Sequence, residues 1–96
     1  MSPLKRKKLN KIRLDLDKLD DSFIKLIKKR TNLVKKVLAL KEKKNQIVDN
    51  KRIQTILANI REKSLANNID PKITQKIWKN MISAFIDFER RNFKKK

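Results

Sequence analysis

The chain reads as an all-α protein of three helices, one long and two shorter, expected to form a dimer or a small bundle. Two observations carry that reading. Apolar residues recur at alternating steps of three and four, the period of an amphipathic helix, and no segment shows the two-residue alternation of a strand. Helix-breaking residues are also scarce, with 0 Gly and 2 Pro in 96 residues.

In the first helix the apolar stripe runs Leu9, Ile12, Leu16, Leu19, Phe23, Leu26, Leu33, Val37 and Leu40. Neither Pro nor Gly occurs between Leu4 and Ile69, so nothing forces a break before the polar stretch Lys43-Lys44-Asn45-Gln46. The helix is therefore expected to reach about forty residues, or about 60 Å. That is too long to pack on a compact monomer of this size, and such a helix needs a partner helix. After the connector Ile47-Val48-Asp49-Asn50, a second helix starts near Lys51 with Asp49 or Asn50 as its N-cap. Its stripe is Ile53, Ile56, Leu57, Ile60, Ser64 and Leu65, and Asn67-Asn68 ends it. Asp70-Pro71 then opens a third helix, a capping Asp followed by Pro at the first helical position. This helix carries Ile73, Ile77, Trp78, Met81, Ile82, Phe85 and Phe88. The expected organisation is a basic extension over 1–8, one helical domain over 9–91 and a basic tail over 92–96.

Composition excludes much chemistry. With no Cys and no His there is no zinc finger, no disulfide, no imidazole base and no Ser-His-Asp or Cys-His nucleophile; without Gly there is no phosphate-binding loop. Neither metal nor cofactor is expected. Lys and Arg number 28 against 10 acidic residues, a net charge of +18, which suits an anionic partner: nucleic acid, a membrane surface or a small anion. Lys, Asn and Ile are all abundant, so much of the excess is compositional filling of solvent-facing positions. No run approaches the roughly 18 apolar residues of a membrane span, and no signal-peptide core is present, so the expected location is cytoplasmic.

Polar residues on the apolar stripes are the informative ones. Arg30 takes the heptad place after Leu9, Leu16 and Phe23 and before Val37, so a guanidinium sits on the core face. A buried cation needs an anion. Lys41, eleven residues on, is rotated by only about 20° and lies about 16 Å along the axis, so the two cations bracket one inward-facing region. Glu89 shares the core stripe of the third helix with Ile82 and Phe85; a carboxyl there either pairs with Arg30 or Lys41, or is held protonated as a hydrogen-bond donor. Arg13 lies about 26 Å before Arg30 and about 100° around the helix, too far to serve the same small ligand. Across an antiparallel pair of long helices it would enter the partner's pocket.

The run Leu19-Asp20-Asp21-Ser22-Phe23-Ile24-Lys25-Leu26-Ile27-Lys28-Lys29-Arg30, followed by Val34, Val37 and Lys41, resembles the first helix of the all-α, AroQ-class (type II) chorismate mutases. Val48-Asp49 with Arg52, the segment Asn67-Asn68-Ile69-Asp70-Pro71, and Phe88-Glu89-Arg90-Arg91 match as well, so the resemblance covers about residues 9 to 91. It implies an intertwined homodimer of the short monofunctional form, whose pockets draw on both chains. By the same resemblance, Arg30 and the partner's Arg13 would bind the two substrate carboxylates, and Lys41 a carboxylate and the ether oxygen. Glu89 would face that oxygen from a place where many members have Gln. Asp49 would lie near the substrate hydroxyl, Arg52 near the site, and Phe85 at a substrate-binding position that is commonly a small Ser. Ile53 departs from a Glu common in the family.

The implied reaction is the intramolecular rearrangement of chorismate to prephenate in aromatic amino acid biosynthesis. It needs no nucleophile, metal or cofactor, only confinement of the reactive conformer and positive charge or hydrogen bonds at the breaking C–O bond. The departures at Ile53 and Phe85 leave the related isochorismate pyruvate-lyase activity as an alternative. A basic helical nucleic-acid-binding protein is a second one, resting on charge alone: its five aromatic residues lie mostly on the stripe of the third helix instead of between lysines.

Overall fold

The computed structural model describes residues 1–94. The last two lysines of the expected basic tail, Lys95 and Lys96, lie outside the described residues. Three α-helices follow one another, α1 (Pro3–Leu40), α2 (Asn50–Ala66) and α3 (Pro71–Asn92), with a 3₁₀ turn over Lys44–Gln46 between the first two. The described residues contain no strand. The chain divides into two compact units, Met1–Leu33 and Val34–Lys96.

The first unit is α1 up to Leu33. It begins at Pro3, six residues before the expected Leu9, because Ser2 supplies the start signal that the apolar pattern does not. The Ser2 Oγ accepts from Lys5 N at 3.2 Å, its carbonyl accepts from Arg6 N at 2.9 Å, and Pro3 fills a position whose N–H has no helical partner. Ile12, Leu16, Leu19, Phe23 and Leu26 are each at least 52% exposed. Lys7, Lys11, Lys18, Lys25 and Lys29 fall within about 20° of one line on the far side of the helix, all exposed.

The second unit is held by α2 packing on α3, with the last turns of α1 and the loop after it. Of the two candidate caps for α2, Asp49 is the cap: its Oδ1 accepts from Arg52 N at 3.0 Å. At the other end Ile69 N bonds Ser64 O at 2.8 Å and Asn68 N bonds Leu65 O at 3.2 Å, with Asn68 at φ 56°. This is the left-handed helix terminus that glycine usually supplies; in a chain without Gly, Asn takes the place. Asp70 caps α3 through Lys72 N at 2.9 Å, with Pro71 at its start.

Ser64, the hydroxyl on the expected stripe of α2, is 3% exposed. It donates to Ile60 O at 2.6 Å, and the Thr74 hydroxyl of α3, 2.6 Å away, donates to it in that arrangement. Gln75 adds a second cross-link, donating to Leu57 O at 2.8 Å. Ser64→Ala is expected to lower unfolding free energy by about 1 kcal/mol. Ser64→Leu, overpacking the same contact, should lower it by about 2–3 kcal/mol. Urea denaturation midpoints measure both, and equal stability of the two variants would refute the packing part.

One expectation about the core needs correction. Leu65, Ile73 and Ile77, assigned to core stripes, are each more than half exposed, and the only buried large apolar side chain among the described residues is Ile47, at 4%. α2 and α3 each turn one side of a broad apolar face to the other, and what remains of those faces is exposed. Ile47 lies in the connector that the sequence predicts, directly after the 3₁₀ turn, and is buried there.

Candidate active site

α1 stops at Leu40 instead of running on toward Lys43, and what stops it is Gln46. The Gln46 Oε1 accepts from the backbone N–H of Glu42 at 2.7 Å and of Lys43 at 2.9 Å, two donors that a continuing helix would have sent to its own carbonyls. Lys41, the first residue past the helix, turns its N–H to Leu38 O at 3.1 Å. Its side chain then reaches across to α3.

There the Lys41 Nζ meets Glu89 Oε2 at 2.8 Å and Ile47 O at 3.4 Å. Glu89 is 7% exposed, the one buried acidic residue among those described. Lys41, one of the two partners that the stripe positions allowed, is therefore seen on Glu89. An ammonium has three donors. One goes to the carboxylate and one, over a longer distance, to the Ile47 carbonyl, which leaves the third for an incoming oxygen.

The other expected site residues are placed as follows. Asp49 is exposed and uses one carboxylate oxygen to cap α2 through the amide of Arg52, whose own side chain stands exposed in the first turn of that helix. Phe85, one turn before Glu89 on α3, is half-buried and meets Phe88 edge-on, with ring centroids 6.5 Å apart and planes at 82°. Ile53, half-buried, lines a groove of about 320 Å³ between the start of α2 and α3, floored also by Val48, Ile82 and Ile86 and rimmed by Lys79 and Arg90. Arg13 and Arg30 stand on α1 in the first unit, Arg13 exposed and Arg30 half-buried. Sequence reasoning missed Gln46 and Ile47. The available signal was an apolar pair, Ile47-Val48, set in an otherwise polar connector.

These features define a class: an all-helical protein whose withdrawn chemistry is a cation and a carboxyl brought together from distant parts of the chain. The family model for chorismate mutase type II matches residues 12–90, and the chain belongs to that family, which is one of isomerases. Arg13, Arg30, Lys41, Asp49, Arg52, Phe85 and Glu89 all fall within the matched span. Neither a curated protein nor a solved structure matches.

Proposed function

We propose that the protein is a cytoplasmic chorismate mutase of aromatic amino acid biosynthesis, acting as a homodimer. The observation that carries this is the Lys41–Glu89 pair, 2.8 Å apart and largely withdrawn from water, at the two positions that would face the substrate's ether oxygen. As chorismate rearranges, the C–O bond breaks, a C–C bond forms, and negative charge builds on the ether oxygen. Lys41 shares its remaining N–H between that oxygen and a substrate carboxylate. Glu89, once protonated, donates to the oxygen from the other side. Arg30 and the partner's Arg13 hold the two carboxylates so that the ring and the side chain stay folded over each other. Confinement of this kind and a preorganised donor act on the barrier directly; each donor is worth on the order of 3 kcal/mol in other enzymes.

The dimer is supported by the exposed stripe on α1. Five large apolar side chains there, each more than half exposed, would gain about 1.5–3 kcal/mol apiece on full burial. A pocket completed by the partner's Arg13 makes a sharp prediction. Arg13→Ala and Lys41→Ala proteins, each inactive alone, are expected to recover about a quarter of wild-type activity when unfolded together and refolded as an equal mixture. Half of the dimers are then mixed, and each mixed dimer has one intact site of two. No recovery with confirmed mixed dimers would place Arg13 outside the partner's pocket.

A second reading, isochorismate pyruvate-lyase on the same scaffold, is favoured by Ile53. Ile53 stands where the family resemblance sets a hydroxyl-binding Glu, in a groove that mixes apolar side chains with Lys79, Ser83, Asp87 and Arg90. Incubating the purified protein separately with chorismate and isochorismate, following loss of substrate absorbance and identifying the products, decides between the two. Prephenate from chorismate supports the mutase; salicylate and pyruvate from isochorismate alone would replace it.

A further inference from the structure

We propose that Gln46 is a positioning residue for Lys41, fixing the loop that aims the ammonium; as a statement about catalysis it rests on the mutase reading above. Lys41 lies past the end of α1, so the helix does not hold its side chain in place. A lysine stem has four rotatable bonds and a strongly hydrated head that would otherwise sample solvent. Two groups oppose that. One is Glu89, on α3; the other is the Ile47 carbonyl, 3.4 Å from the Nζ.

The Ile47 carbonyl is in reach only because residues 42–47 fold tightly. Gln46 N bonds Lys43 O at 3.1 Å and Ile47 N bonds Lys44 O at 3.2 Å, a short 3₁₀ turn that is weak on its own. The Gln46 side chain closes it. Its Oε1 takes both the Glu42 and Lys43 amides, at 2.7 and 2.9 Å, tying the residues just after Lys41 to the residue just before Ile47. One oxygen thus locks the exit from α1 to the carbonyl that Lys41 uses, while Ile47 itself is anchored by burial. Gln46 is exposed, so the acceptor is replaceable without cutting into the packing of α2 on α3. What matters is the oxygen and not the amide nitrogen.

The test uses Gln46→Met, which keeps the length and removes the acceptor, and Gln46→Glu, which keeps the acceptor. The first readout needs no activity: the rate of Lys41 acetylation by acetic anhydride in the folded protein, followed by mass spectrometry. Lys41 should label roughly fivefold faster in Gln46→Met and at the wild-type rate in Gln46→Glu. The second is chorismate turnover, where kcat should fall about tenfold in Gln46→Met, the scale of a misplaced donor, and return to within about twofold in Gln46→Glu. Unchanged Lys41 labelling in Gln46→Met overturns the proposal whatever the activity. Faster labelling with unchanged kcat overturns its catalytic half. Should the wild type leave chorismate untouched while Lys41 labelling still responds to Gln46, the mutase reading fails and the positioning of Lys41 by Gln46 stands.

Discussion

Lys41→Ala is expected to reduce kcat/KM for chorismate by roughly 10³-fold or more while leaving the helical content and the oligomeric state of the protein unchanged. Two losses combine. A donor at an oxygen that gains charge in the transition state is worth about 3 kcal/mol, and a charged hydrogen bond to a substrate carboxylate about 1.5 kcal/mol. Their sum corresponds to a little over three powers of ten. The first loss falls on kcat and the second mainly on KM, so steady-state kinetics separates them.

The same substitution strips Glu89 of the Lys41 ammonium. A carboxylate that is 7% exposed and loses a charged partner lowers the stability of a fold that still forms, so thermal unfolding is measured beside activity. Lys41→Ala combined with Glu89→Gln removes that charge. Its stability should return close to that of the wild type and its activity should not. Recovery of turnover together with stability would show that Lys41 had served folding alone, and would remove it from the mechanism.

Local chemistry was legible wherever the cause was local. Asp49, Asp70, Pro71 and the Asn67-Asn68 pair marked the ends of α2 and α3 because capping depends on side chains within a few residues of the amides they bind. α1 ends at Leu40, the last residue of its apolar stripe, but the group that ends it was not legible: Gln46 captures Glu42 and Lys43 from beyond a stretch that looks helix-compatible, and no periodicity records it. Stripe arithmetic identified Glu89 as anomalous because a carboxyl seven positions from Ile82 lies on the same face. It left the partner open between Arg30 and Lys41, since angle around one helix says nothing about which neighbouring element approaches it. Leu65, Ile73 and Ile77 show the same limit from the other side. A period tells which residues share a face; burial depends on what covers that face.

The charge of +18 now separates into two kinds of cation. Lys7, Lys11, Lys18, Lys25 and Lys29 line the exposed side of α1, and none makes a hydrogen bond or ion pair among the described residues. Exposed charges of this sort screen at physiological salt and keep the chain soluble. Lys41 differs in being withdrawn from solvent and engaged by two protein oxygens. The absence of His and Cys, which at first sight disfavours an enzyme, is consistent with a reaction that calls for fixed charge and shape.

Glu89→Gln and Glu89→Leu together carry the second large expected effect, on the rate itself. In the unliganded protein Glu89 accepts from Lys41, and only a group with a proton can donate to an ether oxygen. Gln has the same shape as Glu and always has an N–H to donate. It also retains an oxygen for Lys41, so the ammonium keeps its place. Glu89→Gln is therefore expected to keep kcat for chorismate at the wild-type level or above it. Glu89→Leu removes both the donor and the acceptor, and kcat should fall by roughly a hundredfold or more. A Leu variant as active as the Gln variant would mean that residue 89 donates nothing to the breaking bond.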